Sequence, residues 1–232
     1  MGKKVAILQS NYIPWKGYFD IINQVDLFIF HDDLQYTKLD WRNRNRIKTP
    51  QGLKWLSIPC GTDEHRLINE VELRDSSWQR KHWNIIEANY SKAPFFKQYA
   101  PVIKDFYWGQ TWRRLSELNQ TFIKFISHHI LGITTEFDNS ENYALTHKKA
   151  ERVIELLKKV NATSYLSGPA AKAYLSEEVF RSENIQLEWM DYSGYPEYPQ
   201  LYPPFAHEVS IIDLIFNTGP DATKYMKSFS HS

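Results

Sequence analysis

Acidic and histidine side chains follow a short apolar run near the start of the chain. Leu27-Phe-Ile-Phe30 leads directly into His31-Asp-Asp33. A carboxylate at the end of a strand can bind a metal or a sugar hydroxyl, or accept a proton as a general base. Adjacent side chains on an extended chain point in different directions, so this spacing does not converge on a metal ion. We predict Asp33 and Asp32 as candidate catalytic groups, with no metal required. Solvated loop acids are the alternative.

Cations stand at alternate positions in the next stretch. Arg42, Arg44 and Arg46 alternate with apolar and amide side chains, and between Lys38 and Lys48 there are five cations and one anion. A period of two predicts a strand with one basic face. Guanidinium groups bind phosphate through paired hydrogen bonds, so this face indicates a diphosphate or a nucleic-acid backbone. The alternatives are neutralisation by the protein's own carboxylates and a charged edge strand.

The stretch from Gln9 to Phe19 combines amide and aromatic side chains in a Pro-containing loop between a predicted strand and a predicted helix. This order resembles the nucleotidyltransferases in which a His-x-Gly-His sequence opens the first helix. Trp15 and Tyr18 stand where those histidines belong, and neither is a cation, so ordinary adenylyl transfer is not expected. Backbone amides at a helix N-terminus can still bind an anion. A tight turn packed by aromatic rings is the alternative.

Two later stretches carry further candidates. His82 lies beside Trp78 in a helical run, and its reference pKa near neutrality suits proton transfer, although a buried histidine bonded to a carbonyl is the alternative. Ser167 lies in a strand–turn–helix corner that favours anion binding. The predicted catalytic set is therefore His82, Asp33 and Asp32. The predicted substrate-binding set is Gln9, Asn11, Tyr12, Trp15, Tyr18, Tyr36, Lys38, Arg42, Arg44 and Ser167.

The elements that must position these residues alternate between strands and helices. Apolar runs predict strands at 4–9, 26–31, 133–137, 163–166 and 185–190. Periodicity near 3.6 predicts helices at 15–24, 78–90, 94–108, 111–131, 148–160, 168–181 and 209–217. This pattern is typical of an α/β fold with a mostly parallel, Rossmann-like (nucleotidyltransferase-like) sheet. We predict a single α/β domain over residues 1–232, with a β-hairpin at 40–60 and a helical insertion at about 77–132.

The composition narrows the class of protein. Hydrophobic residues make up 42% and charged residues 24% of the 232 residues, as in folded globular chains. The net charge of +1 argues against a dedicated nucleic-acid binder. The single cysteine, Cys60, excludes an intrachain disulfide framework. The sequence shows neither a signal peptide nor a membrane-spanning apolar run, so we expect a cytoplasmic protein without a membrane partner.

Five longer strings carry a family resemblance. They are Gln9–Asp20, Asp32–Lys38, Asp40–Lys48, Tyr165–Gly168 and Ser210–Asn217. Together they resemble the WbqC-like protein family over nearly the whole chain, although Ser10 stands where the family's opening motif is expected to have Pro. The family is associated with bacterial O-antigen and other surface-polysaccharide gene clusters. The resemblance implies a cytoplasmic enzyme that acts on a nucleotide-activated sugar.

The leading hypothesis is a transferase that moves an acyl or aminoacyl group to an amine of a nucleotide-linked sugar. In this hypothesis Arg42, Arg44 and Lys38 hold the diphosphate, and Trp15 and Tyr18 stack on the base or the sugar. His82 or Asp33 takes the proton from the attacking amine. An activated acyl donor is the co-substrate that this reaction needs, and the sequence identifies no other cofactor.

The rival hypothesis is a non-catalytic protein. It would bind an anionic ligand, or RNA, through the strand that carries Arg42, Arg44 and Arg46. The balanced overall charge makes nucleic acid the less favoured partner. A homodimer is compatible with the sequence.

Overall fold

A computed structural model describes residues 2–229 of the chain. The strands in this part are β1 (Lys3–Leu8), β2 (Leu27–Phe30), β3 (Arg44–Thr49), β4 (Gly52–Ser57), β5 (Glu136–Asn139), β6 (Ala162–Ser167) and β7 (Gln186–Trp189). The α-helices are α1 (Lys16–Asn23), α2 (Ser77–Tyr90), α3 (Phe96–Trp108), α4 (Leu115–Phe125), α5 (Lys149–Lys159), α6 (Glu177–Ser182) and α7 (Ile211–Thr218). Within residues 2–229, no helix is both long enough and apolar enough to cross a membrane.

Five of the strands form one parallel sheet, in the order β5-β2-β1-β6-β7. The chain adds strands to one side of β1 first and to the other side from β6 onward. The order therefore reverses between β1 and β6. In open α/β sheets the carboxyl ends of the strands at such a reversal border a crevice. Gln9, His31 and Gly168 directly follow β1, β2 and β6, so they lie at that edge.

Both faces of the sheet are covered, as the continuous apolar runs predict for parallel strands. Side chains alternate between the faces. Ala6, Phe28 and Phe30 belong to one buried apolar cluster. Val5, Ile7, Leu27 and Ile29 belong to the other, which includes apolar residues of α5 and α6. The larger cluster also takes in apolar residues of α1, α2, α3, α4 and α7, so the predicted helical insertion packs on that side of the sheet.

The predicted β-hairpin is confirmed. β3 and β4 pair antiparallel, and Thr49 opposes Gly52 at the turn. Gly52 has a φ of +104°, which a residue without a Cβ adopts readily. Asn45 and Ile47 face the protein and are buried, while Arg44 and Arg46 point to the other side and are only partly covered. The period-two pattern therefore gives the correct face for residues 44–47. It is wrong for Lys48, which is buried, and for Trp41, which precedes β3 and contacts Arg46 and Trp55.

Two predicted helices are wrong in extent. The helix expected over 111–131 is α-helical only over Leu115–Phe125 and continues as a π-helix over Ile126–Ile130. The helix expected over 168–181 is a 3₁₀ turn, Pro169–Ala173, followed by the separate α6. Tyr174 leaves the helical region there, with a φ of −139°. Local periodicity cannot register such a break, because each half has the apolar spacing of a helix.

The aromatic, Pro-rich segment between β7 and α7 has neither helix nor strand, and two buried carboxylates anchor it. The Tyr195 hydroxyl donates to Asp20 of α1 at 2.5 Å, and the Tyr198 hydroxyl donates to Asp213 of α7 at 2.6 Å. Asp213 also accepts from the Tyr90 hydroxyl at 2.6 Å. Burial raises the pKa of Asp213, and these hydrogen bonds oppose the rise. The segment is therefore tied to the core at two points.

Candidate functional site

A cavity of about 410 Å³ opens at the carboxyl ends of β1, β2 and β6, where the strand order reverses. We call it the strand-end cleft. Its polar lining comes from five places along the chain, and consists of Gln9, His31, Arg42, Lys149, Arg152 and Ser167. Its apolar lining includes Leu34 and Tyr174. The cleft thus contains three of the predicted substrate-binding residues, Gln9, Arg42 and Ser167.

The charged side chains that line the strand-end cleft are all cations, and two of them pair with carboxylates outside the lining, Arg42 with Asp40 and Arg152 with Asp33. Arg42, Lys149 and Arg152 supply three cations, and no carboxylate belongs to the lining within residues 2–229. Lys149 is exposed and is the first residue of α5. The amide of Gln9 has no hydrogen-bond partner in the described part of the chain, so it is available to a ligand. Cations on a concave wall strengthen the attraction for an anion.

Arg152 is held in place from below the cleft. Its Nη2 donates to Asp33 Oδ2 at 2.5 Å, and its Nε donates to His31 Nε2 at 3.1 Å. The other oxygen of Asp33 accepts from the hydroxyl of Ser140, a buried residue. Both oxygens of Asp33 therefore have partners, and its place is beneath a cation rather than in the open cavity. The structure thus connects Asp33 to the cleft through Arg152.

His31 is a neutral imidazole. Burial lowers its pKa to about 4, the nearby Arg152 adds to this, and Asp33 at 3.7 Å opposes it. Because Nε2 accepts the hydrogen bond from Arg152, the ring proton is on Nδ1. Because His31 is neutral, the cations that line the cleft are the two arginines and the lysine.

Asp32 braces the loop after β1. Its Oδ1 accepts from the backbone amide of Ser10 at 2.7 Å, and its Oδ2 accepts from Gln120 Nε2 at 2.9 Å. The residue is 3% exposed, and burial raises its pKa while these hydrogen bonds oppose the rise. The carboxylate thus fixes where Gln9 and Ser10 lie. It does not join the lining of the cleft.

His82 lies in a different part of the molecule. Its Nδ1 is 2.8 Å from the Tyr12 hydroxyl, which is 2.8 Å from the Tyr107 hydroxyl. All three are buried, and the ring of Trp78 packs against His82 and Tyr12. Burial lowers the pKa of His82 to about 4, and a hydrogen bond to the Ser57 backbone opposes this shift. The predicted catalytic set His82, Asp33 and Asp32 is therefore not brought together at one point.

Three more of the predicted substrate-binding residues are placed apart from the cleft lining. Tyr18 is 3% exposed and its hydroxyl donates to the Gln9 carbonyl at 2.9 Å, so it supports the cleft from beneath. Tyr36 is fully buried beside Arg66. Lys38 is exposed, with its Nζ 3.6 Å from Glu64. Sequence patterns reveal an aromatic or a cation, but they do not reveal whether tertiary packing covers it.

Arg42 connects the strand-end cleft to a second cavity. Its Nη1 donates to Asn11 Oδ1 at 2.5 Å and its Nη2 to Asp40 at 3.2 Å. Burial alone would raise the pKa of Asp40, but Arg42 and the hydrogen bonds to the carboxylate outweigh burial and lower it. Asn11 lines a cavity of about 270 Å³. We call this cavity the aromatic pocket. Its lining is Asn11, Pro14, Trp15, Trp41, Asn45, Arg46 and Glu208.

The loop that forms this pocket is held by Asn45 of the hairpin. The Asn45 amide donates to the carbonyls of Tyr12 and Ile13 at 3.0 Å and 2.9 Å. Ile13 has a φ of +36°, which a β-branched residue rarely adopts. Gly17 lets the ring of Trp15 lie across the first turn of α1, because a Cβ at Gly17 would be 2.3 Å from Trp15 Cζ2. The glycine of the opening motif therefore makes room for an aromatic ring.

The outer face of the hairpin carries aromatic and guanidinium groups in contact. Trp41 and Trp55 are each 40% exposed, with ring centroids 5.5 Å apart. The Arg44 guanidinium lies 4.2 Å from the Trp55 ring, and that of Arg46 lies 5.2 Å from it. Arg46 also donates to Glu208 at 2.6 Å. We call Trp41, Arg44, Arg46 and Trp55 the hairpin face. The predicted basic face exists, and Arg44 belongs to it rather than to the strand-end cleft.

Sequence analysis missed Lys149, Arg152 and Tyr174 as cleft residues. Lys149 and Arg152 lie in the predicted amphipathic helix after β5, and helices that follow parallel strands begin at the edge where ligands bind. Tyr174 is 68% exposed and stands just beyond the predicted anion-binding corner. Within residues 2–229, no three His, Cys, Asp or Glu side chains are grouped closely enough to hold a metal ion.

Comparison with known proteins places this geometry in context. The family model described as "WbqC-like protein family" matches residues 9–225. A protein of Mycobacterium tuberculosis (strain ATCC 25618 / H37Rv), named "Uncharacterized protein Rv1507c", is 46% identical over 227 residues. The match covers 97% of this chain and 98% of that protein. No solved structure matches the chain.

Proposed function

Because this chain belongs to the WbqC-like protein family, we propose that it is a cytoplasmic enzyme of surface-polysaccharide (O-antigen) biosynthesis that binds a nucleotide-linked sugar. The ligand occupies the strand-end cleft. The observation that carries the proposal is the cleft's charge, with three cations and no carboxylate among its described lining residues. The diphosphate of a nucleotide sugar carries the opposite charge and accepts paired hydrogen bonds from arginine.

The parts of the ligand match different parts of the cleft. We assign the diphosphate to Lys149, which is exposed, and to Arg42, which stands where the cleft meets the second cavity. Both arginines also bond to a carboxylate, Arg42 to Asp40 and Arg152 to Asp33. Gln9 and Ser167 present an amide and a hydroxyl at two adjacent strand ends, where they suit the hydroxyl groups of a sugar. Asp33 acts on the ligand indirectly in this proposal, through the position of Arg152.

The reaction that we assign to this cleft is transfer of an acyl or aminoacyl group from an activated donor to an amine of the sugar. The amine nitrogen bonds to the acyl carbon, and the bond from that carbon to the donor's carrier breaks. The proton lost by the nitrogen passes to the departing carrier. This route needs positioning of the two substrates more than a protein base. It therefore does not depend on the buried His82.

The test is a thermal-shift and titration screen against dTDP-, UDP- and GDP-linked sugars. A bound ligand raises the melting temperature of the folded protein. Arg42→Ala should weaken binding by about tenfold, because charge-assisted hydrogen bonds contribute about 1.5–3 kcal/mol each. Arg80→Ala, which removes an exposed cation of α2 outside the cleft, should leave the affinity unchanged. Absence of a response to every nucleotide sugar would sink the proposal.

The reaction has a separate test. Wild-type protein is incubated with the nucleotide sugar that binds and with candidate acyl donors, and the mass of the sugar nucleotide is measured. An increase equal to the acyl group supports transfer. An unchanged mass with every donor, despite firm binding, would leave the protein as a binder of nucleotide sugars.

The hairpin face favours RNA binding as a second candidate function. Exposed tryptophans interleaved with arginines provide stacking surfaces and cations together, as single-stranded nucleic acids require. Such binding should weaken steeply with salt, and Arg44→Ala should reduce it. Nucleotide-sugar binding in the cleft should not respond to Arg44→Ala, since Arg44 does not line the cleft. The two variants Arg42→Ala and Arg44→Ala therefore separate the two functions.

A further inference from the structure

The aromatic pocket lies next to the strand-end cleft, because a lining residue of each takes part in the same hydrogen bond. Arg42 lines the cleft, Asn11 lines the pocket, and Arg42 Nη1 donates to Asn11 Oδ1 at 2.5 Å. The Arg42 guanidinium therefore stands where a ligand that filled both cavities would run from one to the other. A cation at this junction suits a ligand whose negative charge lies in its middle.

The two cavities differ in chemistry. The cleft offers an amide, a hydroxyl and cations. The pocket has aromatic side walls, because Trp15 and Trp41 both line it. Trp15 is fixed by the rings of Tyr192 and Tyr195, whose centroids lie 5.2 Å and 5.5 Å away. Rigid aromatic walls of this kind suit a flat, π-bearing group.

The polar groups that line the pocket include both donors and acceptors. Arg46 donates, and its Nε is buried without a hydrogen-bond partner in the described residues. Glu208, with a side chain 71% exposed, accepts, and its present partner is Arg46. The Asn11 side chain adds an amide whose oxygen is taken by Arg42. A ring edge that carries both carbonyl oxygens and N–H groups is complementary to such a set.

We infer that the aromatic pocket is the nucleobase subsite of this protein. The base lies beside Trp15 and Trp41, the diphosphate passes Arg42, and the sugar occupies the strand-end cleft. This inference rests on the proposed function and adds to it the orientation of the ligand. It also makes Trp41, Trp15 and Arg46 base-contacting residues and leaves the reacting sugar near Gln9 and Ser167.

Ligand fragments test the inference, because each should report on one cavity. Binding of UMP, TMP, GMP, CMP and AMP is measured by titration calorimetry, alongside a hexose 1-phosphate. Trp41→Ala should weaken the best-binding nucleotide by about tenfold or more, since stacking on an aromatic side chain contributes about 1–3 kcal/mol per base. The same variant should leave the hexose 1-phosphate affinity unchanged. Trp41→Phe should restore most of the nucleotide affinity.

Trp55→Ala is the matched control. Trp55 is also a hairpin tryptophan and is also 40% exposed, but it does not line the aromatic pocket. It should change nucleotide affinity by less than about twofold. Equal losses in Trp41→Ala and Trp55→Ala would move the nucleotide onto the hairpin face and overturn the subsite.

The remaining outcomes separate this inference from the proposed function. Firm binding of a nucleotide sugar that Trp41→Ala does not weaken overturns the base subsite and leaves the cleft proposal standing. Failure of every nucleotide sugar and every fragment to bind overturns both. Binding of a free amino acid that Trp41→Ala abolishes, with nucleotide affinity unaffected, assigns the pocket to a second substrate and overturns the inference. Circular dichroism of each variant verifies that the fold is intact.

Discussion

Two histidines, in two regions of the molecule, are equally buried and have similarly lowered pKa values, but their surroundings differ. His31 and His82 are 6% and 5% exposed, and burial lowers the pKa of each to about 4. His31 stands beside Arg152 and lines an open cavity with three cations. His82 is enclosed by Tyr12, Tyr107 and Trp78. A shifted pKa therefore reports burial, and only the neighbouring space shows whether a ligand can reach the group.

The polar partners differ in the same way. In the region around His82, the Tyr12 and Tyr107 hydroxyls and the His82 ring bond to buried protein groups, although Trp78 Nε1 is buried without a hydrogen-bond partner in the described residues. In the strand-end cleft, Asp33 and His31 bond to Arg152, but Gln9 and Lys149 face the cavity. Hydrogen bonds that run between enclosed protein groups are typical of a structural network, whereas polar groups on an open concave wall are typical of a binding site. Three predictions test this contrast.

The largest effect is expected at His82. His82→Ala leaves a cavity between α2 and the hairpin and leaves the Ser57 carbonyl without its donor. We expect the free energy of unfolding to fall by about 2–4 kcal/mol. Urea denaturation measures this loss. Affinity for a nucleotide sugar, measured on folded protein, should stay within twofold. His65→Ala, at an exposed histidine, is the control and should change stability by no more than about 0.5 kcal/mol. A large loss of affinity in folded His82→Ala would show that His82 contributes to ligand binding.

The second prediction concerns acid. In the unfolded chain both histidines have the ordinary pKa of 6.5, and in the folded protein about 4. The unfolded state therefore binds more protons between these values, and stability falls as pH falls from 6.5 toward 4. Each histidine contributes at most about 3 kcal/mol to this loss.

Burial raises the pKa of Asp32 and Asp213, so their protonation stabilises the folded protein as the pH falls and opposes the effect of the histidines. Substituting one histidine at a time therefore isolates the contribution of each. The difference in stability between pH 7 and pH 4.5 should be smaller in His82→Gln and in His31→Gln than in the wild type. A saturating anion in the cleft should reduce the effect of His31 only, because it offsets the positive charge of a protonated ring there. Equal ligand effects on both variants would show that the cleft does not distinguish the two regions.

Sequence patterns predict the strands and helices well where a short stretch of residues determines the secondary structure. Apolar runs predict the strands of the sheet, and alternation predicts the hairpin and the faces of residues 44–47, though not those of Trp41 and Lys48. The edge of the sheet that carries the cleft follows from the polar residues that come after β1 and β2. The π-helix after α4 and the break at Tyr174 were not predicted, because both preserve the spacing of a continuous helix.

The site is only partly predictable, for a different reason. Arg152 is 119 positions from Asp33, yet the two side chains share a hydrogen bond. Nothing in the local sequence around either residue encodes that contact, which depends on how α5 packs beside β2. Tyr18 and Tyr36 are of a residue type that is common in binding surfaces, but both are buried in the core. Aromatic residues serve packing and recognition equally well, so only the fold assigns them.

The smallest expected effect is at Asp33, which the contrast places beneath the cleft rather than in it. Asp33→Asn keeps the size of the side chain but removes the charge that holds Arg152. Arg152 is then free to turn, and its charge is no longer offset locally. We expect the affinity for a nucleotide sugar to change by about three- to tenfold, with a loss of stability of about 1 kcal/mol. The sign of the change in affinity distinguishes two roles of Asp33. Weaker binding means that Asp33 must position Arg152, and tighter binding means that Asp33 competes with the ligand for Arg152.

Asp138→Asn is the matched control, since Asp138 lies on the neighbouring strand β5 and bonds to Tyr143 and Asn142 instead. A double variant, Asp33→Asn with Arg152→Ala, completes the cycle. If the two changes prove strictly additive in ligand affinity, Asp33 does not act through Arg152, and the distinction between lining and supporting residues in the strand-end cleft fails at that point.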